Sequence, residues 1–360
     1  MQTINIYIKY TKFCWSEQYS TVKNDLTAAT TPWRQPPERE PVEISVICPV
    51  FDTPPPLLQA AAASVLAEGE AAEIELILVD DASRRSDTLA ALATLAASDA
   101  RIRLIRRCAN GGSASARNDG IGLARGEWIG FIDADDLWLP GRIARSLALL
   151  DRKDVDWIGG RHCLLHPDGS LHDTPNLPGR VLDGPDLTRM FIANFWMHLG
   201  ACLVRRRLAK RVDGFAGGLS YYEDFLFLTR LSVLAALHPV AADVYAWRRA
   251  GTGLTASPAR LAAGSMRMHG LAAADPLLRG YRRELRWARY SARKGLALNN
   301  LLAGRRGRAL ALACDAWLMD PRELHDLIVF LGLWARSPAA ALAEGRRYSP
   351  VELFQLQDSR

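Results

Sequence analysis

The sequence predicts an α/β fold: a mostly parallel central sheet flanked by helices, followed by a helical C-terminal appendage. Three observations predict it. Apolar runs rich in β-branched residues alternate with helical stretches between positions 44 and 132, the order that builds a parallel sheet with helical crossovers. Asp52, Asp81, Asn110 and Asp133 fall just after the ends of such runs, where an open parallel sheet gathers its ligand-binding groups. Beyond position 259, arginines are mixed with aromatic and apolar residues in helix-like segments.

The first strand is read at Ile44 to Phe51, with Pro49 at its exit. Prolines 54 to 56 then open a helix that Gly69 stops. A second strand, Ile74 to Val79, leads through Asp80-Asp81-Ala-Ser into a helix from Thr88 to Ala97. Arg101 to Ile105 is a third strand, Ser113 to Leu123 a third helix and Trp128 to Ile132 a fourth strand. A helix is expected from Arg142 to Leu150, and another in LFLTRLSVLAAL after Asp224.

Residues 1–42 differ in composition, end in the Pro-rich TPWRQPPEREP, and read as a mobile extension or a mispredicted start. The expected division is then a domain over 43–258, with halves at 43–140 and 141–258, and a basic helical region over 259–360. With 49% hydrophobic and 23% charged residues, the composition is that of a globular protein. The net charge of +6 is compatible with an anionic partner without specifying it. Six scattered cysteines have neither zinc spacing nor the density of a secreted disulfide scaffold, which predicts reduced thiols in the cytoplasm. The N-terminus has no secretory pattern, and the apolar run Leu327 to Trp334 is far below the roughly 20 residues a membrane span needs.

Asp133, Asp135 and Asp136 place three carboxylates in four residues. Their mutual repulsion is relieved by a hard cation, Mn²⁺ or Mg²⁺, which commonly bridges carboxylates to phosphates. The alternative is a helix cap, and for Asp136 both roles are compatible. Gly111 and Gly112 before a helix offer a close backbone approach to phosphate, and Arg117 could reach a phosphate or a nearby carboxylate as a planar fork.

SVICPVFD, ILVDDAS, NGGSASARNDGI, ARGEWIGFIDADD, a Glu-Asp pair and an arginine-containing loop occur in this order from about Ile44 to Thr255. Together they resemble the family 2 glycosyltransferases, whose catalytic domains share the GT-A fold. The resemblance implies that Pro49, Val50, Phe51, Asp52 and Asp81 border the base of a nucleotide sugar, with a UDP-sugar favoured. Asp133-Ala134-Asp135 corresponds to the DxD motif, with Asp133 on the ribose side and Asp135 on the metal. Glu223-Asp224 corresponds to the acceptor-side pair, with Asp224 as general base, which an acceptor hydroxyl requires near neutral pH. Gly200 to Arg206 matches a strand bordering the acceptor, and Trp196 and His198 beside it are either core residues or sugar contacts. Arg248 is the arginine of the late loop, although Trp247 replaces the family's tyrosine and the histidine two beyond the arginine is absent.

The implied reaction is an inverting transfer to a hydroxyl of a glycan or lipid-linked acceptor, in cell-surface polysaccharide or glycolipid synthesis. Two rival readings are a phosphohydrolase of the haloacid dehalogenase kind, which also carries Asp-x-Asp after a strand, and a nucleic-acid-binding protein using the basic tail. The first would place its nucleophile near the chain's start, whereas three strands precede Asp133; the second lacks any recognisable binding motif. Residues 260–360 hold seventeen Lys and Arg against nine Asp and Glu, compatible with peripheral contact at the inner face of the plasma membrane or with a solvated helical region.

Overall fold

The computed structural model describes residues 43–174, 177–193, 197–219, 221–248, 258–319, 321 and 324–335. The strands are β1 (Ile44–Val50), β2 (Ile74–Asp80), β3 (Ile102–Arg106), β4 (Trp128–Phe131), β5 (Leu137–Trp138), β6 (Trp157–Leu165), β7 (Leu171–Asp173), β8 (Cys202–Arg205) and β9 (His238–Arg248). They form one sheet in the order β3-β2-β1-β4-β8-β6-β9-β5, with β7 paired to β6. The first four strands are mutually parallel, and β8 joins β4 antiparallel. The long β6–β9 ladder is parallel again.

Burial on both faces explains the uninterrupted apolar runs. Ile44, Val46 and Cys48 of β1 pack with Leu58 and Val65 of α1 (Pro55–Leu66) and Leu92 of α2 (Ser86–Ser98). On the opposite face, Ile47, Ile77 and Phe131 pack with Ala116 of α3 (Gly112–Leu123) and later helices. Gly120 lets α3 lie close to the sheet, since a Cβ there would stand 2.5 Å from Ile47. That contact fixes α3 with its N-terminus beside the ends of the parallel strands.

Pro49 lies within β1, where it pairs in register with Val79. β4 accompanies β1 only from Ile44 to Ile47, so the missing proline N–H interrupts no ladder on that side. The helix expected over Arg142 to Leu150 shrinks to α4 (Leu147–Leu150). Gly141 there adopts φ +76°, and the Glu68 carboxylate accepts the N–H groups of Gly141 and Ile143. The buried Arg142 guanidinium donates to the carbonyls of Gly200 and Cys202 and stacks on Trp138.

The second half adds α5 (Gly184–Ile192), α6 (Arg206–Arg211) and α7 (Glu223–Leu234). Four further helices follow: α8 (Pro258–Ala274), α9 (Arg282–Leu302), α10 (Arg306–Met319) and α11 (Leu324–Ala335). Phe225 and Leu226 of α7 pack with Met268 and Leu285, tying this helical appendage to the sheet domain. Among the described residues, no helix is long and apolar enough to cross a membrane. Residues 1–42 lie outside the described part.

Candidate active site

The loops after β1, β2 and β4 meet at one end of the parallel strands, with the N-terminus of α3 among them. Asp52 adopts φ 49°, a left-handed conformation that aspartate tolerates. Its Oδ1 accepts the N–H groups of Arg84 and Arg85 at 2.6 and 2.8 Å, and its own N–H donates to Ser83 Oγ. These bonds join the first two loops. Val50 is buried beneath them and Phe51 is 46% exposed at the mouth.

Asp81 is buried, and its carboxylate accepts from Arg107, from Gly111 N at 2.9 Å and from Gly112 N at 2.8 Å. The anion at this helix start is therefore a side chain of the protein itself. A phosphate role for Gly111 and Gly112 cannot use those two N–H groups while Asp81 holds them, which corrects the expectation drawn from the glycines.

Arg117 joins the two halves of the site. It is 5% exposed, lies 5.5 Å over the Phe215 ring, and donates through Nη2 to Asp133 Oδ1 at 2.6 Å and through Nη1 to Glu223 Oε1 at 2.9 Å. Ser113 Oγ donates to the same Glu223 oxygen. Burial opposes the guanidinium charge, but Asp133, Glu223 and Asp224 outweigh it and raise the Arg117 pKa. Arg117 thus fills the carboxylate role left open by the sequence, and Glu223 is committed to α3.

Asp224 follows Glu223 at the start of α7. Tyr222 occupies the capping position at φ 65° without a side-chain cap, so Asp224 lies inside the first turn and is not the N-cap. Its Oδ1 accepts Phe225 N–H at 2.8 Å. Burial, reinforced by the charge of Glu223 and partly opposed by Arg117, pushes its pKa up to about 6. A carboxylate so placed can accept a proton near neutral pH.

The acidic turn after β4 is electrostatically divided. Burial works to raise the Asp133 pKa, but Arg117 outweighs it and holds the group low. Asp135 is raised by burial and by the charge of Asp133, and Asp136 is raised well above the ordinary carboxylate range by burial and by both neighbours. Asp136 does not cap a helix, because β5 follows it. Its oxygens accept Tyr245 O–H at 2.6 Å and Arg248 N–H at 2.7 Å. Arg248 Nε donates to the Asp135 carbonyl at 2.8 Å, and Ala134 is buried in the turn.

Asp133, Asp136 and His198 offer ligand atoms within 4.8 Å of one another. However, His198 Nδ1 accepts Gly200 N–H at 3.0 Å, which places the proton of the neutral ring on Nε2. Burial lowers the His198 pKa to about 3, so that neutral form prevails. Both oxygens of Asp136 already accept hydrogen bonds. Of these three, the half-buried carboxylate of Asp133 is the oxygen donor that fits a hard divalent cation.

His198 is buried and stacked on Tyr245 at 4.5 Å beneath the acidic turn, which gives it the core role of the two the sequence offers and not that of a sugar contact. The four residues of β8 are buried between β4 and β6, where they brace the sheet. Trp196 lies outside the described residues. Tyr245 and Ser113 were missed by sequence reasoning; the buried register of β9 against β6 is the only signal for Tyr245, and it is tertiary.

Residues 45–183 match the family model described as glycosyl transferase family 2. The chain is 33% identical over 194 residues to the uncharacterized glycosyltransferase EpsJ of Bacillus subtilis, covering 51% of this chain and 52% of that protein. It is 28% identical over 217 residues to the succinoglycan biosynthesis protein ExoO of Rhizobium meliloti, covering 56% and 60%. An uncharacterized Sinorhizobium fredii protein, y4gI, is 32% identical over 219 residues, covering 57% of this chain and 22% of its own length. The chain thus spans from about a fifth to three fifths of these relatives. The S. aureus TarS 1-349 structure in complex with UDP-GlcNAc superposes with a TM-score of 0.59 at 17% identity, covering 79% and 83% of the two chains. Mannosyltransferase PcManGT from Pyrobaculum calidifontis, in complex with GDP-Man and Mn²⁺, gives 0.51 at 18%, covering 87% and 83%. The fold is that of the GT-A proteins.

Proposed function

From this resemblance to the family 2 glycosyltransferases over residues 45–183, we propose that the chain transfers a sugar from a nucleoside-diphosphate donor to a hydroxyl acceptor with inversion. The observation that carries this reading is the Arg117 bridge, which ties the acidic turn to Glu223, the neighbour of Asp224. Asp224 takes the acceptor proton on one face of the donor sugar while the nucleoside diphosphate departs from the other, a single displacement that inverts the anomeric centre. Glu223 orients Asp224 through its bonds to Ser113 and Arg117. Arg248, tied to the acidic turn, meets the donor phosphates, and Asp52, Asp81 and the β1 end border the base. A cation on Asp133 and Asp135, Mn²⁺ or Mg²⁺, would supply charge stabilisation for the departing diphosphate. A phosphohydrolase would need Asp133 as a free nucleophile, but Arg117 holds that carboxylate.

A UDP-sugar is the favoured donor, in keeping with the UDP-GlcNAc bound by TarS, and the acceptor is a glycan or lipid-linked hydroxyl in polysaccharide or glycolipid synthesis, as in the process named for ExoO. In a thermal-shift screen of UDP, GDP, dTDP and CDP, one nucleotide is expected to raise the melting temperature with Mn²⁺ or Mg²⁺, because it binds only the native state. Asp135→Ala is expected to lose that metal-dependent part. No shift with any nucleotide and either metal would defeat the donor reading.

The helical appendage carries a second part of the proposal, peripheral contact with an anionic membrane at the cytoplasmic face. Leu318, Leu324 and Ile328 are 68%, 50% and 58% exposed, and the exposed Arg305 and Arg308 stand at the α10 start, which meets the α11 end through Arg306 and Trp334. Exposed apolar residues and arginines on one helical pair suit an anionic headgroup surface. Vesicles containing phosphatidylglycerol should co-sediment the protein and lose it in Ile328→Glu, whereas phosphatidylcholine vesicles should not bind. Equal binding to both would remove the electrostatic argument.

A further inference from the structure

Asp136 and Tyr245 form a buried junction to which the reaction proposed above assigns no chemistry. Asp136 is 1% exposed and Tyr245 is fully buried. The Tyr245 hydroxyl donates to Asp136 Oδ2 at 2.6 Å and accepts Asp133 N–H at 3.2 Å, so one oxygen holds both ends of the acidic turn. The other carboxylate oxygen of Asp136 accepts Arg248 N–H at 2.7 Å, and Arg248 Nε returns to the Asp135 carbonyl. Four hydrogen bonds therefore join residues 133–136 to the last residues of β9, across more than a hundred positions of sequence.

The surroundings are shaped for that ring. The β6–β9 ladder shifts register around Arg161, after which Val244, Tyr245 and Ala246 are all buried; such an irregularity re-aims the side chains that follow it. Gly200 lies against the Tyr245 ring, and a Cβ there would stand 2.1 Å from it. His198 covers the ring from one side. Packing thus fixes where the hydroxyl points.

We infer that Asp136 and Tyr245 are positioning residues that clamp the acidic turn to the end of β9 and so aim Arg248 at the donor phosphates. This rests on the nucleotide-sugar reading of the site. The clamp makes donor binding depend on two groups that touch no donor, because an Arg248 whose backbone is released loses the orientation that its side chain needs.

Tyr245→Phe keeps the packed ring and removes only the hydroxyl, and Asp136→Ala removes both acceptors. Hydrogen exchange at the Arg248 amide, read by NMR, should accelerate by about tenfold or more in Asp136→Ala. Calorimetric titration with UDP or GDP and Mn²⁺, whichever the wild type binds, should show affinity about tenfold weaker in Tyr245→Phe. In an Arg248→Ala background, Tyr245→Phe should cost little more, the non-additivity of groups acting through one another. Full additivity, or unchanged nucleotide affinity in Tyr245→Phe despite a lower melting temperature, would reduce the junction to a structural one and overturn the inference. If the wild type binds no nucleoside diphosphate, the donor reading fails and the aiming of Arg248 fails with it, while the amide exchange still decides whether the clamp exists.

Discussion

Asp224→Asn is expected to lower kcat by about 10²- to 10⁴-fold, the usual contribution of a positioned general base, while leaving nucleotide affinity within a few-fold of the wild type. Asparagine keeps the size of the side chain and its acceptor for Phe225 N–H, so the variant removes proton acceptance more than structure. The wild-type pH profile is a second readout. With the Asp224 pKa raised to about 6, kcat/KM should climb with pH through that value and level off above it. Stability should move in the opposite sense. A carboxyl whose folded pKa lies above its unfolded one contributes stability that is fully present below the unfolded pKa and lost as pH rises through the folded pKa. Asp224→Asn should therefore melt higher than the wild type above pH 6, with the difference closing toward the ordinary carboxylate pKa of about 4. A variant with near-normal kcat and an unchanged rising limb would exclude Asp224 as the base.

The second large effect is on the fold of the site. Arg117→Met is expected to destabilise the protein by about 3–5 kcal/mol, the usual cost of leaving buried charge without its partner. Asp133 and Glu223 would face one another with no cation between them, and Ser113 would be the only remaining described partner of the Glu223 carboxylate. Arg117→Lys should recover only part of the loss, since one ammonium cannot reproduce a planar fork that reaches two carboxylates at once. Adding Glu223→Gln to Arg117→Met should restore some stability by removing one of the stranded charges. Urea denaturation measures all of these, and a loss below about 1 kcal/mol for Arg117→Met would mean that the bridge is solvent-screened and unimportant.

Much of this site was legible in the chain. The strand runs were readable because residues buried on both faces leave no polar alternation, and the site loops because Asp and Gly concentrate where strands end. The Asp133-Ala134-Asp135 and Glu223-Asp224 pairs stood out as chemistry that a bland surface has little use for. The roles of individual donors were less legible. Gly111 and Gly112 look like a phosphate cradle in the linear sequence, yet Asp81, some thirty residues earlier, takes their N–H groups. His198 offers both a core role and a sugar contact in the linear sequence, and its packing beneath the acidic turn selects the first.

By itself, the sequence determined the alternation of strands and helices, the placing of acidic residues at one end of the sheet and the resemblance to family 2 glycosyltransferases, because these follow from local periodicity, turn chemistry and the order of short motifs. Only the tertiary structure decided that Arg117 would be spent on Asp133 and Glu223, and that Asp136 would turn inward to Tyr245 and Arg248. Apart from Arg117 and Asp133, which are 16 positions apart, those pairs are separated by 106 to 112 positions. The physical reason is that a hydrogen-bond donor is taken by whichever acceptor packing brings within about 3 Å, and at such separations the sheet register and the helix-to-sheet packing make that choice.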